Sequence, residues 1–126
     1  LTPATNYGWP VITYGDDYSQ ARISPFRDYP GMQKPSVDWT PSIAPSGMAY
    51  YGSKHATFPS LAQHVLITTL VDKKLYSVNL ANGEFTQSHI FPEATGRLRD
   101  VYVTTEGNVA VLMDGKDAEL MLVKPE

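Results

Sequence analysis

Apolar residues in the second half of the chain come in short runs broken by turn residues, with no 3.6-residue apolar stripe of useful length. Ile43 to Tyr51 is apolar and aromatic and stops at Gly52. His64 to Leu70 is rich in β-branched residues, which fit a pleated surface. Lys74 to Leu80 alternates, with Leu75, Ser77 and Asn79 on one side and Tyr76, Val78 and Leu80 on the other. Asn82-Gly83 follows, a pair suited to the positive φ angles of a tight hairpin turn, and Glu84 to Phe91 continues the pattern. After a loop at Pro92–Gly96, runs at Arg99–Thr104, Asn108–Asp114 and Ala118–Lys124 are separated by Glu106-Gly107 and Asp114-Gly115. Short runs spaced about 8–12 residues apart predict an antiparallel all-β architecture with little helix.

The number of strands says more than their class. Residues 43–91 predict one four-stranded meander, and residues 99–124 predict three further strands. Four-stranded units repeating at roughly 40–50 residues are the mark of β-propeller blades. A final set of three strands fits a ring whose last blade is closed by a strand from elsewhere. The expectation is a single domain fragment, residues 1–126, forming the C-terminal part of a larger propeller. Residues 1–42 would be a loop-rich segment, 43–91 one blade, and 99–124 three strands of the closing blade.

Composition sharpens this division. Residues 1–60 hold 8 of the 10 prolines and 10 of the 14 aromatics, but 8 of the 23 charged residues. They predict long ordered loops with aromatics packed beneath them. A net charge of −3 offers no basic stripe, so nucleic acid is not an expected partner. No apolar run approaches the ~18–20 residues of a membrane span. No Lys/Arg-led apolar stretch with a cleavage site opens the sequence, so no signal peptide is expected within it. The absence of cysteine excludes disulfides and thiolate chemistry.

Four blocks carry a family resemblance. They are Asn6-Tyr7-Gly8-Trp9-Pro10 with Thr13-Tyr14-Gly15; Trp39-Thr40-Pro41-Ser42-Ile43-Ala44-Pro45-Ser46-Gly47-Met48; Gly96-Arg97-Leu98-Arg99-Asp100-Val101; and Glu106-Gly107-Asn108 with Leu112-Met113-Asp114. In this order and spacing they resemble the soluble quinoprotein sugar dehydrogenases of the glucose/sorbosone dehydrogenase family, which includes aldose sugar dehydrogenases. The resemblance implies a six-bladed propeller that binds pyrroloquinoline quinone (PQQ) over calcium and oxidises aldoses at C1 to lactones. It implies a periplasmic or secreted location. It also implies that the catalytic histidine, the calcium ligands and several cofactor contacts lie in blades upstream of the Asn6–Pro10 block. No catalytic or metal-binding residue is therefore assigned within this chain, and the remaining blades become its expected partner.

Among the residues present, Arg97 and Arg99 are two apart and would share a face. Two guanidiniums can clamp a multiply anionic ligand, and the resemblance gives them the PQQ carboxylates. The alternative is a surface pair, one of them bound to Asp100. The resemblance puts Trp39, Thr40 and Ser42 at the cofactor cleft, the indole facing the planar quinone; the alternative for Trp39 is a core aromatic. Asn6–Pro10 reads mainly as a turn with Trp9-Pro10 packed at an element start. His55, His64 and His89 are too scattered for a zinc site and read as loop or surface residues. Asp16, Asp17 and Asp28 read as a solvated loop. In one place the family pattern is broken: Val71 stands where the family has a lysine that contacts the cofactor. Three functions stay open, namely part of a PQQ-dependent aldose dehydrogenase, a non-catalytic propeller of the same family that binds a sugar or other ligand, and an inactive fragment.

Overall fold

The computed structural model describes residues 2–79 and 86–125. The chain divides into two compact units, Leu1–Ser42 and Ile43–Glu126. The Asn82-Gly83 turn expected from the sequence lies outside the described residues.

Unit 2 holds the regular structure. Its strands are β1 (Pro45–Tyr51), β2 (His64–Thr69), β3 (Leu75–Asn79), β4 (Thr86–Ile90), β5 (Leu98–Val103), β6 (Val109–Met113) and β7 (Leu120–Val123). Every pairing is antiparallel, in one sheet ordered β1-β2-β3-β4 and another ordered β5-β6-β7. A 3₁₀ turn at Pro59–Leu61 is the one helical element among the described residues. The expected all-β antiparallel class holds, and strand ends differ from the sequence reading by one or two residues.

The two sheets enclose a shared core in which Tyr51, Leu66, Leu75, Leu98, Val109 and Val111 are wholly buried. Phe58 and Phe91 meet edge to face, 5.0 Å between ring centroids, at its margin. In β2 four consecutive residues, Leu66 to Thr69, are buried, so the simple alternation of a half-buried strand is lost. Thr69 also closes the β2–β3 turn: its Oγ1 donates to the Lys74 carbonyl (2.9 Å) and accepts from the Lys74 N–H (3.0 Å).

Close approach of the sheets depends on one glycine. A Cβ on Gly47 would lie 2.7 Å from the Asp100 Cα and 2.9 Å from the Thr68 Oγ1. Beside it, the Ser46 hydroxyl donates to the Leu98 carbonyl at 2.6 Å, tying the start of β1 to the start of β5. At the other end of β1, the Tyr51 hydroxyl donates to the Gly107 carbonyl (2.9 Å) and accepts from the Phe58 N–H (3.0 Å).

Unit 1 has no strand of more than single bridges among its described residues; Asn6 bridges Met32, Ile12 bridges Phe26 and Asp16 bridges Arg22. The expected turn at Asn6–Gly8 is present. Asn6 Oδ1 accepts from the Gly8 N–H at 2.8 Å, Gly8 has φ +90°, and the Ile12 N–H donates to the Gly8 carbonyl at 2.9 Å. The expectation of aromatics packed under the loops is not met. Tyr7, Phe26 and Tyr29 are about half exposed, and Trp9 is 70% exposed. Some 40 residues without a regular element have too little interior to bury several large rings, and Ile12 is the main apolar side chain they do bury.

Candidate functional site

Two places combine suitable chemistry with accessible geometry, one in each unit. The first is the end of unit 2 where β5 begins and β6 finishes. The β5–β6 register pairs Asp100 with Leu112 but Leu98 with Met113, so Arg99 is an inserted residue in a β-bulge. The burial sequence of β5 shows it: Leu98 and Val101 face the core three residues apart, and Arg99 and Asp100 between them are exposed. Beyond the bulge, Asp114 comes opposite Arg97, and its N–H donates to the Arg97 carbonyl at 2.6 Å.

Here Arg97 and Arg99 meet on one carboxylate. Asp114 Oδ2 accepts from Arg97 Nε (2.9 Å) and forms an ion pair with its Nη2 at 2.8 Å. Asp114 Oδ1 accepts from Arg99 Nε (3.2 Å) and Nη2 (2.8 Å). Each oxygen thus takes the Nε/Nη2 edge of one guanidinium, and each Nη1 lies outside these contacts. Both arginine side chains remain about half exposed. Hydrogen bonds first from Arg99 and then from Arg97 hold the Asp114 carboxyl below the usual carboxylate range. The group carries two positive charges and one negative, a net cationic, donor-rich end. The alternative pairing with Asp100 is corrected, since Asp100 Oδ1 instead accepts from the Val101 N–H at 2.8 Å.

Val71 belongs to the same unit, in the β2–β3 connection, where its N–H donates to the Ile43 carbonyl at 3.2 Å. Its side chain is 63% exposed and does not pack in the core. Lys73, two residues on, has φ +59° and sits in the turn. Next to it Asp72 accepts from the Tyr76 hydroxyl and pairs with Lys74 at 3.2 Å.

The second place is a cleft of about 380 Å³ in unit 1. Trp39, Thr40 and Ser42 all line it, together with Tyr7, Trp9 and Tyr14. Trp39 is half-buried at the cleft wall, so the core-aromatic alternative does not describe it. Trp9, expected to pack at an element start, is largely exposed and lines the cleft. The signal for these added wall residues lay in the composition, because the first 42 residues contain more large rings than they could bury.

Of the histidines, His55 lies in a loop with its ring 5.2 Å from that of Tyr51, and His89 is exposed on β4. His64 opens β2 half-buried, so a loop or surface description does not fit it. Asp17 forms a local turn, accepting from the Ser19 N–H (2.7 Å) and the Ala21 N–H (3.0 Å), and Asp28 pairs with Lys34 at 3.0 Å. Among the described residues no three His, Asp or Glu side chains converge as a metal-binding group.

Comparison with known proteins settles the lineage. Residues 1–122 match the model of the family described as glucose/sorbosone dehydrogenase. The chain belongs to that family. It is 34% identical over 123 residues to the aldose sugar dehydrogenase YliI of Escherichia coli, covering 95% of this chain and 33% of that protein. The solved apo structure of the soluble aldose sugar dehydrogenase from Escherichia coli superposes with a TM-score of 0.84 at 32% identity, over 98% of this chain and 36% of that one. The PQQ-bound aldose sugar dehydrogenase of Streptomyces coelicolor shares the fold, with a TM-score of 0.65 at 20% identity over 98% of this chain and 34% of that one. The chain spans about a third of the length of the curated relatives it matches.

Proposed function

We propose that this chain is the C-terminal part of a PQQ-dependent aldose dehydrogenase that oxidises a sugar to its lactone. One observation carries the reading: in a chain of this family, Arg97 and Arg99 converge on Asp114 with a net positive charge, and both side chains stay about half exposed. Such a donor set fits the carboxylates of PQQ, which two guanidiniums can hold by charge-assisted bonds. When bound, PQQ supplies the two-electron oxidant for hydride removal from C1 of the sugar. The arginines anchor and orient; they do not move the proton. The general base is proposed to come from the remainder of the protein, as are any calcium ligands. Trp39, Thr40 and Ser42 are a separate proposal, in which the indole and two hydroxyl-bearing residues of the unit 1 cleft contact a planar or sugar ring.

Two further observations support the six-bladed propeller and a partner in the missing blades. Among the described residues β7 pairs with β6 alone, leaving one edge open. The outer face of that sheet also exposes Tyr102, Leu112, Leu120 and Leu122, a row suited to a neighbouring blade. A periplasmic or secreted location belongs to the same reading; no helix among the described residues is long and apolar enough to cross a membrane.

The test uses the full-length protein with calcium. Titration with PQQ followed by glucose or another aldose should change the quinone absorbance. The double variant Arg97→Ala/Arg99→Ala should bind PQQ more weakly by about 1.5–3 kcal/mol per lost charged hydrogen bond, toward the lower figure because the site is half exposed. Unchanged PQQ affinity overturns the assignment. A second reading, a sugar- or ligand-binding propeller that has lost the cofactor chemistry, rests on Val71, which supplies neither charge nor donor. A protein that is silent with PQQ yet binds aldose would establish it.

A further inference from the structure

In the sequence Asp114 reads only as the end of a family block and the start of a turn with Gly115, yet it organises both arginines. Its own place is fixed by the backbone, through the 2.6 Å N–H···O=C bond to Arg97 beyond the β5 bulge. Its two oxygens engage the same edge of each guanidinium, at 2.8–3.2 Å. Two long cationic side chains left alone would repel each other and sample many rotamers. One carboxylate between them removes both difficulties, and it fixes the Nε/Nη2 edges while both side chains stay about half exposed. We infer that Asp114 is a positioning residue that presets Arg97 and Arg99 for a planar ligand with several carboxylates. This rests on the assignment of PQQ to the arginine pair.

The inference makes a prediction opposite in sign to simple charge counting. Asp114→Asn adds one unit of positive charge to the site, and a site that acted only through its net charge would then bind an anion more tightly. A site that acts through orientation binds it less tightly. We expect Asp114→Asn in the full-length protein to weaken PQQ binding about tenfold, the lower end of what partners that orient binding groups contribute at metal centres. Affinity is read by quenching of protein fluorescence on titration with PQQ, with no sugar present. Asp114→Glu, which keeps the charge but moves the carboxylate by one methylene, should recover part of the affinity. The melting temperature of each PQQ-free variant identifies any loss of folding; if the Asn variant does not fold, the Glu variant carries the test through reduced affinity at an unchanged melting temperature. Arg97→Ala/Arg99→Ala is the companion measurement. If it leaves PQQ affinity intact, the cofactor assignment itself is wrong. If it abolishes binding while Asp114→Asn binds as well as or better than the parent, the assignment stands and the positioning role is overturned.

Discussion

Replacing Tyr51 by Phe removes one oxygen atom from the interior of unit 2. The ring is wholly buried at the end of β1, and its contacts with Phe58 and His55, 6.4 and 5.2 Å between centroids, do not need the hydroxyl. What disappears is a two-sided link, the bond donated to the Gly107 carbonyl at 2.9 Å and the bond accepted from the Phe58 N–H at 3.0 Å. This link joins the end of β1 to the β5–β6 turn of the other sheet. A buried polar group left unpaired costs about 1–3 kcal/mol, whereas one that can turn to water costs nearer 0.5–1.5 kcal/mol. Gly107 is buried and Phe58 half-buried, so the upper figure applies to the first and the lower to the second. The sum is about 3 kcal/mol, on the order of a hundredfold in the folding equilibrium. Urea unfolding of the full-length protein and its Tyr51→Phe variant, compared at equal m-values, measures it. Faster exchange of the Phe58 amide proton should accompany the loss. A change below about 0.5 kcal/mol refutes the reasoning, because it means the two groups find other partners at little cost.

Gly47→Ala should destabilise the protein by about 1–3 kcal/mol, since the new methyl meets the Asp100 backbone at 2.7 Å and neither strand can yield without parting the sheets; a melting temperature equal to the parent's would refute this. Val71→Lys should leave the melting temperature nearly unchanged, because the side chain is exposed, and should strengthen PQQ binding in the full-length protein. Unchanged affinity there would favour the non-catalytic reading. The lowered pKa of Asp114 sets a pH dependence. Its contribution to stability is complete above the unfolded carboxylate value of about 3.9 and is lost as pH falls through the lower folded value. Denaturation curves between about pH 2 and pH 6 should show less acid sensitivity in Asp114→Asn, and parallel curves would refute this.

Much of unit 2 was legible in the sequence because strand-forming runs and turn residues are local signals. β-branched residues at 64–70, Gly107 after β5 and Gly115 after β6 act through φ/ψ preferences that need no distant partner. The arginine pair was legible for the same reason, as two like residues two apart. Residues 1–42 were harder. Proline and aromatic content predicted loops, but whether a ring is buried depends on how much interior the surrounding chain can enclose. Trp9 and Trp39 therefore ended at a cleft wall and not beneath a loop.

The partner of the arginines was decided by tertiary structure alone. Continuing the β5–β6 register inward from Val103–Val109 without interruption would set Leu98 against Asp114 and Arg97 against Gly115. The bulge at Arg99 shifts the pairing by one residue, and Asp114 then faces Arg97 with Arg99 within reach. No glycine or proline at 99 or 100 announces that bulge. It accompanies the packing of β1 on β5, where Gly47 lies against the Asp100 backbone and the Ser46 hydroxyl holds the Leu98 carbonyl. Sequence determined which residues could carry charge at this end of the sheet. Packing between two sheets, a contact across some 50 residues of chain, determined which of them meet.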